Sequence, residues 1–187
     1  MWAFKGENMR QSIRLAALLL AAATLACTVS IPSFSSISGS GEIITITNEA
    51  EITMPALSGI EASGASQVTL AGFDSSLPLR VIASGATSVI GEIQAGDVSM
   101  EASGASSISL TGGAGNLALD VSGASSAYIE AFQVTDIQAD LSGASSAVVT
   151  ASGTLDVEAS GASELSYLGN PTLGSVNTSG ASSVGEK

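Results

Sequence analysis

The residues with the most chemistry to offer recur at one place in a repeated phrase. Ser-Gly-Ala-Ser/Thr occurs seven times, with its glycine at Gly64, Gly85, Gly104, Gly123, Gly143, Gly161 and Gly180. Three residues before each glycine stand Glu61, Ile82, Glu101, Asp120, Asp140, Glu158 and Asn177, four of them acids in succession. If the copies stack at strand spacing, each of these acids lies over the next. Like charges about 5 Å apart repel by roughly 1 kcal/mol in water, and water, salt, partial protonation or a bound cation must offset that. Glu101, Asp120, Asp140, Asp156 and Glu158 together form a candidate cation face that would hold Ca²⁺ weakly, since a good calcium site needs six to eight oxygens. The other reading is a solvated acidic stripe that keeps the protein soluble. Asp120 and Asp140 are also the spacing of a carboxylate pair for glycoside hydrolysis, but a flat stacked face gives them no cleft and no aromatic platform.

Other catalytic chemistry lacks its parts. The chain has no His, and its one cysteine, Cys27, lies near the N-terminus. The many serines have no imidazole to activate them, and the only lysine beyond Cys27 is the last residue, Lys187. Lyases that cut acidic sugars rely on basic residues, whereas Arg80 and Lys187 are the only basic residues after Cys27, against sixteen acids. The chain is therefore read as non-enzymatic and without a resident cofactor. The same balance makes nucleic acid and anionic lipid headgroups poor partners, because phosphate binding needs a basic patch.

The elements that carry the acids follow from the spacing of the glycines, which is 21, 19, 19, 20, 18 and 19 residues. A period near twenty marks a solenoid, in which every repeat adds one coil. Four residues before the glycines stand Ile60, Val81, Met100, Leu119, Ala139, Val157 and Val176, and four after stand Val68, Val89, Ile108, Ala127, Ala147, Leu165 and Val184. Ala62, Ala83, Ala102, Val121, Leu141, Ala159 and Thr178 lie two before. Leu70, Leu110, Ile129, Val149 and Tyr167 lie six after. Apolar residues at even offsets with polar ones between are the mark of half-buried strands, not of a helix. Each unit reads as strand, tight corner at Ser-Gly-Ala-Ser, strand, then a variable turn such as Thr111 to Asn116. Glycine supplies the positive φ of the corner. The expectation is an all-β solenoid of about seven coils of 18 to 21 residues, stabilised coil upon coil. Phe132 and Tyr128 fall in one turn region and Tyr167 in another, and all three read as packing or plugging residues.

Gly39-Ser40-Gly41 followed by an Ile-rich strand, then Leu57-Ser58-Gly59-Ile60-Glu61-Ala62-Ser63-Gly64-Ala65, resembles the opening of the head GIN domain family, also described as auto-transporter adhesins. The later Ser-Gly-Ala-Ser-Ser copies and Tyr167-Leu168-Gly169-Asn170-Pro171 are similar to that family's C-terminal half. The resemblance spans roughly residues 38 to 184. It implies a right-handed parallel β-helix exported to the bacterial cell envelope, and it supplies no ligand.

Residues 1 to 27 read as a targeting segment. Arg10 and Arg14 precede the uncharged run from Leu15 to Ala26, which suits a signal peptide and is shorter than the roughly 20 residues of a membrane span. Met9 is a second candidate start. Thr24-Leu25-Ala26-Cys27 resembles a bacterial lipobox, making Cys27 the expected lipidation site, with ordinary secretion as the alternative. Residues 28 to 37 read as a tether and residues 38 to 187 as the β-helix domain, its first coil drawn from Glu42 to Met54. With a single cysteine no intramolecular disulfide can form. Beyond Val184 the sequence shows no cap, so the last coil is either blunted by Glu186 and Lys187 or pairs end to end with another copy. The functional expectation is an exported, envelope-associated interaction module that displays a repetitive acidic and Ser face to an envelope or extracellular protein or glycan, attached to the membrane through its lipid alone. The alternative is a structural, self-associating envelope element. Ice binding is a third and remoter reading, because the hydroxyl columns are Ser beside a corner instead of paired Thr.

Overall fold

Inward Val, Ile, Leu and Ala alternate with outward polar residues throughout the repeats, and the backbone follows that pattern. The computed structural model describes residues 28–30, 43–46, 49–53 and 58–187. The targeting segment, Cys27 and most of the expected tether lie outside the described residues. Among those described, every regular element is a strand. They are β1 (Thr28–Ser30), β2 (Ile43–Ile46), β3 (Glu49–Thr53), β4 (Gly59–Ala62), β5 (Gln67–Asp74), β6 (Leu79–Ala83), β7 (Ser88–Gln94), β8 (Val98–Ala102), β9 (Ser107–Gly113), β10 (Asn116–Val121), β11 (Ser126–Val134), β12 (Asp136–Leu141), β13 (Ser146–Ala151), β14 (Thr154–Ala159), β15 (Glu164–Gly169), β16 (Thr172–Thr178) and β17 (Ser183–Glu186).

The strands sort into two sheets by parity. The odd strands form one sheet in the order β1-β3-β5-β7-β9-β11-β13-β15-β17, and the even strands form the other from β16 down to β2. Every pairing is parallel except β1 with β3, where Thr28 to Ser30 run antiparallel to Thr53 to Glu51. The first residues after Cys27 thus lie as an edge strand and not as free tether. Each coil is one even strand, the Ser-Gly-Ala-Ser corner, one odd strand and a turn, so the chain is a parallel β-solenoid of about seven turns. The coil preceding the first corner motif is supplied by β2 and β3, within the stretch expected to form it.

The core fills the space between the sheets. Ile60, Val81, Met100, Leu119, Ala139 and Val157 stack in register and are buried, as are Val68, Val89, Ile108, Ala127, Ala147 and Leu165. A further inward column, Leu79, Val98, Leu117, Ile137 and Leu155, sits one alternation earlier in the even strands. Alignment on the corner glycines places it six residues before each, so the same period-two count would have found it. Burying each such aliphatic side chain is worth about 1.5–3 kcal/mol before entropy is counted.

The turn-side core was not legible in that alignment. Phe132 is completely buried inside β11, paired in register with Gly112 of the coil before it. The ladder shifts between Tyr128 and Phe132, and again in β5 between Leu70 and Phe73. These bulges let coils of different length return to a common register. Tyr128, in the same strand, points outward and is 50% exposed. Neither residue is in a turn: Thr111 to Gly113 belong to β9, which leaves only Ala114 and Gly115 between it and β10.

The corner is closed by a buried hydroxyl. Ser66, Thr87, Ser106, Ser125, Ser145 and Ser163, the fourth residues of the motif, are all buried. Ser66 Oγ donates to the Ser63 carbonyl at 2.5 Å, Thr87 Oγ1 to Ser84 at 2.7 Å, Ser106 Oγ to Ser103 at 2.8 Å and Ser163 Oγ to Ser160 at 2.6 Å. Each closes the four-residue corner on itself by bonding the carbonyl three residues back, a local side-chain-to-backbone bond of the kind Ser and Thr favour. This hydroxyl column therefore faces the core. One step on, Ser88, Ser107, Ser126 and Ser146 stack on the outer side, half-buried, and Ser146 Oγ donates to Ser126 Oγ at 3.1 Å.

Candidate functional site

The even-strand acids take the positions that their spacing implies. Glu101 pairs in register with Asp120, Asp120 with Asp140, and Asp140 with Glu158. Alternation drives this: Leu119 and Val121 point inward, so Asp120 between them must point out. At the lower end Ile82 interrupts the column below Glu101, and at the upper end Asn177 follows Glu158. A shallow hollow of about 370 Å³ lies along the upper rungs, lined among others by Asp120, Asp140, Glu158, Ser142, Ser160 and Asn177.

Two features show how the face holds its charge. Arg80 Nη2 reaches Glu101 Oε2 at 2.8 Å, with both side chains about half exposed, so the pair is worth little. One rung on, no basic side chain among the described residues pairs with Asp120. Partial desolvation between the flanking rungs, then repulsion from Glu101, then from Asp140, raise its carboxyl above the ordinary 3.8. The folded chain thus holds this proton more tightly than the unfolded chain does. Stability attributable to Asp120 is lowest at neutral pH, grows as pH falls through the raised value, and levels off below about 3.8. We expect Asp120→Asn to raise the thermal midpoint at pH 7 by an amount equivalent to less than about 1 kcal/mol, because solvent screens the face. The variant should also gain less than the parent on acidification from pH 7 to 4. Thermal melts of both proteins at the two pH values check this; a parent that melts lower at pH 4 with the variant unchanged would contradict it.

The remaining acid of the expected cation face, Asp156, has a structural task. Its Oδ1 accepts the Ser175 backbone N–H at 2.6 Å, across a bulge where Gly174 and Ser175 oppose it. Asp136 Oδ1 accepts from the Thr154 N–H at 2.6 Å, and Asp97 Oδ1 accepts from the Asn116 N–H at 3.1 Å and from Asn116 Nδ2 at 2.9 Å. These three aspartates tie even strands to the coil below, Asp97 and Asp136 at the first residue of the strand and Asp156 at the β16 bulge, a role that residue spacing did not reveal. Among the described residues no three acidic side chains converge on a point that could hold a metal ion. The acids run in a row, not around a centre.

The seven corner glycines stack into their own column, with φ between 73° and 82°. The Gly104 carbonyl accepts the Ala124 N–H at 2.8 Å, and the Gly123 carbonyl accepts the Ala144 N–H at 2.7 Å. A Cβ on Gly123 would stand 2.6 Å from that same Gly104 oxygen. The motif's glycine is thus required by the conformation of its own rung and by the closeness of the rung below.

The odd-strand outer face differs from the even one. Ile90, Ser109, Tyr128 and Val148 stack in register beside the outer serine column. Acid column and serine column flank the same corner edge, one on each sheet.

Flat outward faces, a filled core and repeated corners define the class as a parallel β-solenoid whose exposed chemistry is periodic along its axis. The sequence model of the putative auto-transporter adhesin, head GIN domain family matches residues 38–171, most of the chain, and the chain belongs to that family. The seventh corner and strands β16 and β17 lie beyond the matched stretch. Comparison with curated proteins and comparison with solved structures each find no match. The family name points to an adhesin-like module at the cell surface.

Proposed function

We propose that the chain is a non-catalytic interaction module of the cell surface, displaying its corner edge to a protein or glycan of the envelope or of a neighbouring cell. The observation that carries the reading is the strict inter-coil register: Glu101, Asp120, Asp140 and Glu158 repeat on one side of the edge, and Ser88, Ser107, Ser126 and Ser146 on the other. A ligand that is itself repetitive, such as a polysaccharide or an extended peptide, meets the same group on each rung, so weak contacts add along the rod. The acid column selects against anionic partners and for neutral or cationic ones.

Export through residues 1 to 27 and lipid attachment at Cys27 would place the rod on the membrane surface with its domain free. Among the described residues no helix is long and apolar enough to cross a membrane.

One experiment addresses both points. Cells expressing the chain or its Cys27→Ala variant are fractionated, and the released protein is used to capture envelope components and to probe a glycan array. The parent is expected in the membrane fraction and the variant in the soluble one. Capture should weaken at least tenfold when Asp120 and Asp140 are both changed to Lys. Equal fractionation of parent and variant would remove the anchor, and capture indifferent to the charge reversal would remove the acidic edge as the binding surface.

A further inference from the structure

The turns on the side away from the corners shorten along the middle of the rod. Ser75 to Pro78 join β5 to β6, Ala95 to Asp97 join β7 to β8, and only Ala114 and Gly115 join β9 to β10. The longest of them forms a ledge below the outer face of the two even strands that follow. Between ledge and face lies an open hollow of about 530 Å³, lined among others by Leu77, Pro78, Arg80, Asp97, Ser99 and Asn116. Its size falls in the usual range of ligand sites, about 300–1,000 Å³.

The lining is held in place before any ligand arrives. Leu77 is 50% exposed, yet its backbone is tied on both sides. Its N–H donates to Ser75 Oγ at 3.1 Å, and its carbonyl accepts the Gly96 N–H at 3.1 Å. Pro78 follows, with φ set by its ring. Together they present an apolar wall that the folded core does not use. On the same hollow, Asp97 Oδ1 accepts both N–H bonds from Asn116, which fixes the two side chains against each other. Asp97 Oδ2, the Asn116 amide oxygen and the Ser99 hydroxyl have no partner among the described residues. Arg80 is steadied at Glu101 through Nη2 and keeps further N–H groups to donate.

From this apolar wall beside fixed donors and acceptors, we propose that the hollow binds one uncharged sugar unit of a glycan. A sugar ring carries C–H groups on its face and hydroxyls around its rim, each hydroxyl able both to donate and to accept. Leu77 and Pro78 suit the face, and Asp97, Asn116, Ser99 and Arg80 suit the rim. Charged ligands are disfavoured, because Arg80 and Asp97 share the lining and a chain of net charge −12 repels anions. An acyl chain would bury the polar groups of the lining without partners for them. No aromatic ring lines the hollow, so binding is weak, with dissociation in the millimolar range. The site occurs once per rod, since the residues in register with Arg80 further on are Ser99, Ala118 and Gln138. It lies at the turn ends of the even strands, away from the corner edge, and does not depend on that edge being a binding surface.

NMR titration of the isotope-labelled full chain tests this, with methyl glycosides of glucose, galactose, mannose and N-acetylglucosamine as probes. Galacturonate and a lysine tripeptide serve as charged comparisons. At least one neutral glycoside is expected to shift the Asn116 side-chain amide and Leu77 methyl signals, approaching saturation by about 50 mM. Leu77→Ser and Arg80→Gln should each weaken that binding at least threefold. Asp120→Lys with Asp140→Lys, which decides the corner edge, should leave it unchanged. Circular dichroism verifies folding, and if Leu77→Ser lost its strand signal, Arg80→Gln would carry the decision. Four glycosides that all leave these signals in place overturn the proposal. So does a folded pair of variants that binds like the parent, or tighter binding of galacturonate or the tripeptide than of every neutral glycoside.

Discussion

Leu119→Asp is expected to abolish the cooperative thermal transition of the domain, while Ala118→Asp, one residue away, leaves it within about 0.5 kcal/mol of the parent. Leu119 is 2% exposed and is held in register between Met100 below and Ala139 above, in the middle of the stack. The substitution removes a buried aliphatic worth roughly 2–3 kcal/mol. It also puts a carboxyl where no hydrogen-bonding partner is in reach. That group must be buried neutral at a cost of several kcal/mol, or the coil must open. The combined loss of at least about 5 kcal/mol is comparable to the whole stability of an ordinary domain. Because each coil is supported only by its neighbours, damage at a central rung separates the rod into two shorter stacks. Ala118 points outward from the same strand between Ser99 and Gln138, so its carboxylate stays in water. Thermal melts followed by circular dichroism distinguish the two; a Leu119→Asp protein as heat-resistant as the parent would mean that no packed shaft lies between the sheets.

Gly123→Ala is expected to lower stability by about 3 kcal/mol, a fall in thermal midpoint of roughly 6–12 °C for a chain of this size. Two costs combine. Gly123 has φ of +75°, and an L-residue there loses about 1–2 kcal/mol. Its new Cβ would also lie 2.6 Å from the Gly104 carbonyl oxygen, which already accepts the Ala124 N–H. The rung must lift away from its neighbour, weakening that inter-coil hydrogen bond. Ala124→Ser, at the exposed next position, is the matched control and should change little. If Gly123→Ala melted with the control, the corners would not be in close contact.

The glycine column and the central apolar columns repeat at fixed offsets from the corner, so alternation and spacing suffice to place Leu119 inside, Asp120 outside and Gly123 at a bend. Arg80, two residues before Ile82 on the same outer face, reaches Glu101 one rung on. The fourth motif residue misleads, because Ser and Thr look like surface residues. Ser106 and Ser163 point inward because the tight corner offers each a carbonyl three residues back, and that local partner removes the cost of burying a hydroxyl.

What the amino-acid order determined by itself is the periodic part of the protein: strands in place of helices, a corner every 18 to 21 residues, a shaft of aliphatic side chains and a row of acids outside it. A period-two pattern and an obligatory glycine are local properties, written in neighbouring residues. Only the tertiary structure decided how coils of unequal length meet. Phe132 beside Gly112, Asp156 holding the Ser175 N–H and β1 turned antiparallel on β3 all depend on contacts between residues about twenty or more positions apart. Such contacts are set by bulges and turn lengths that accumulate away from the corner, where no repeated residue marks the register.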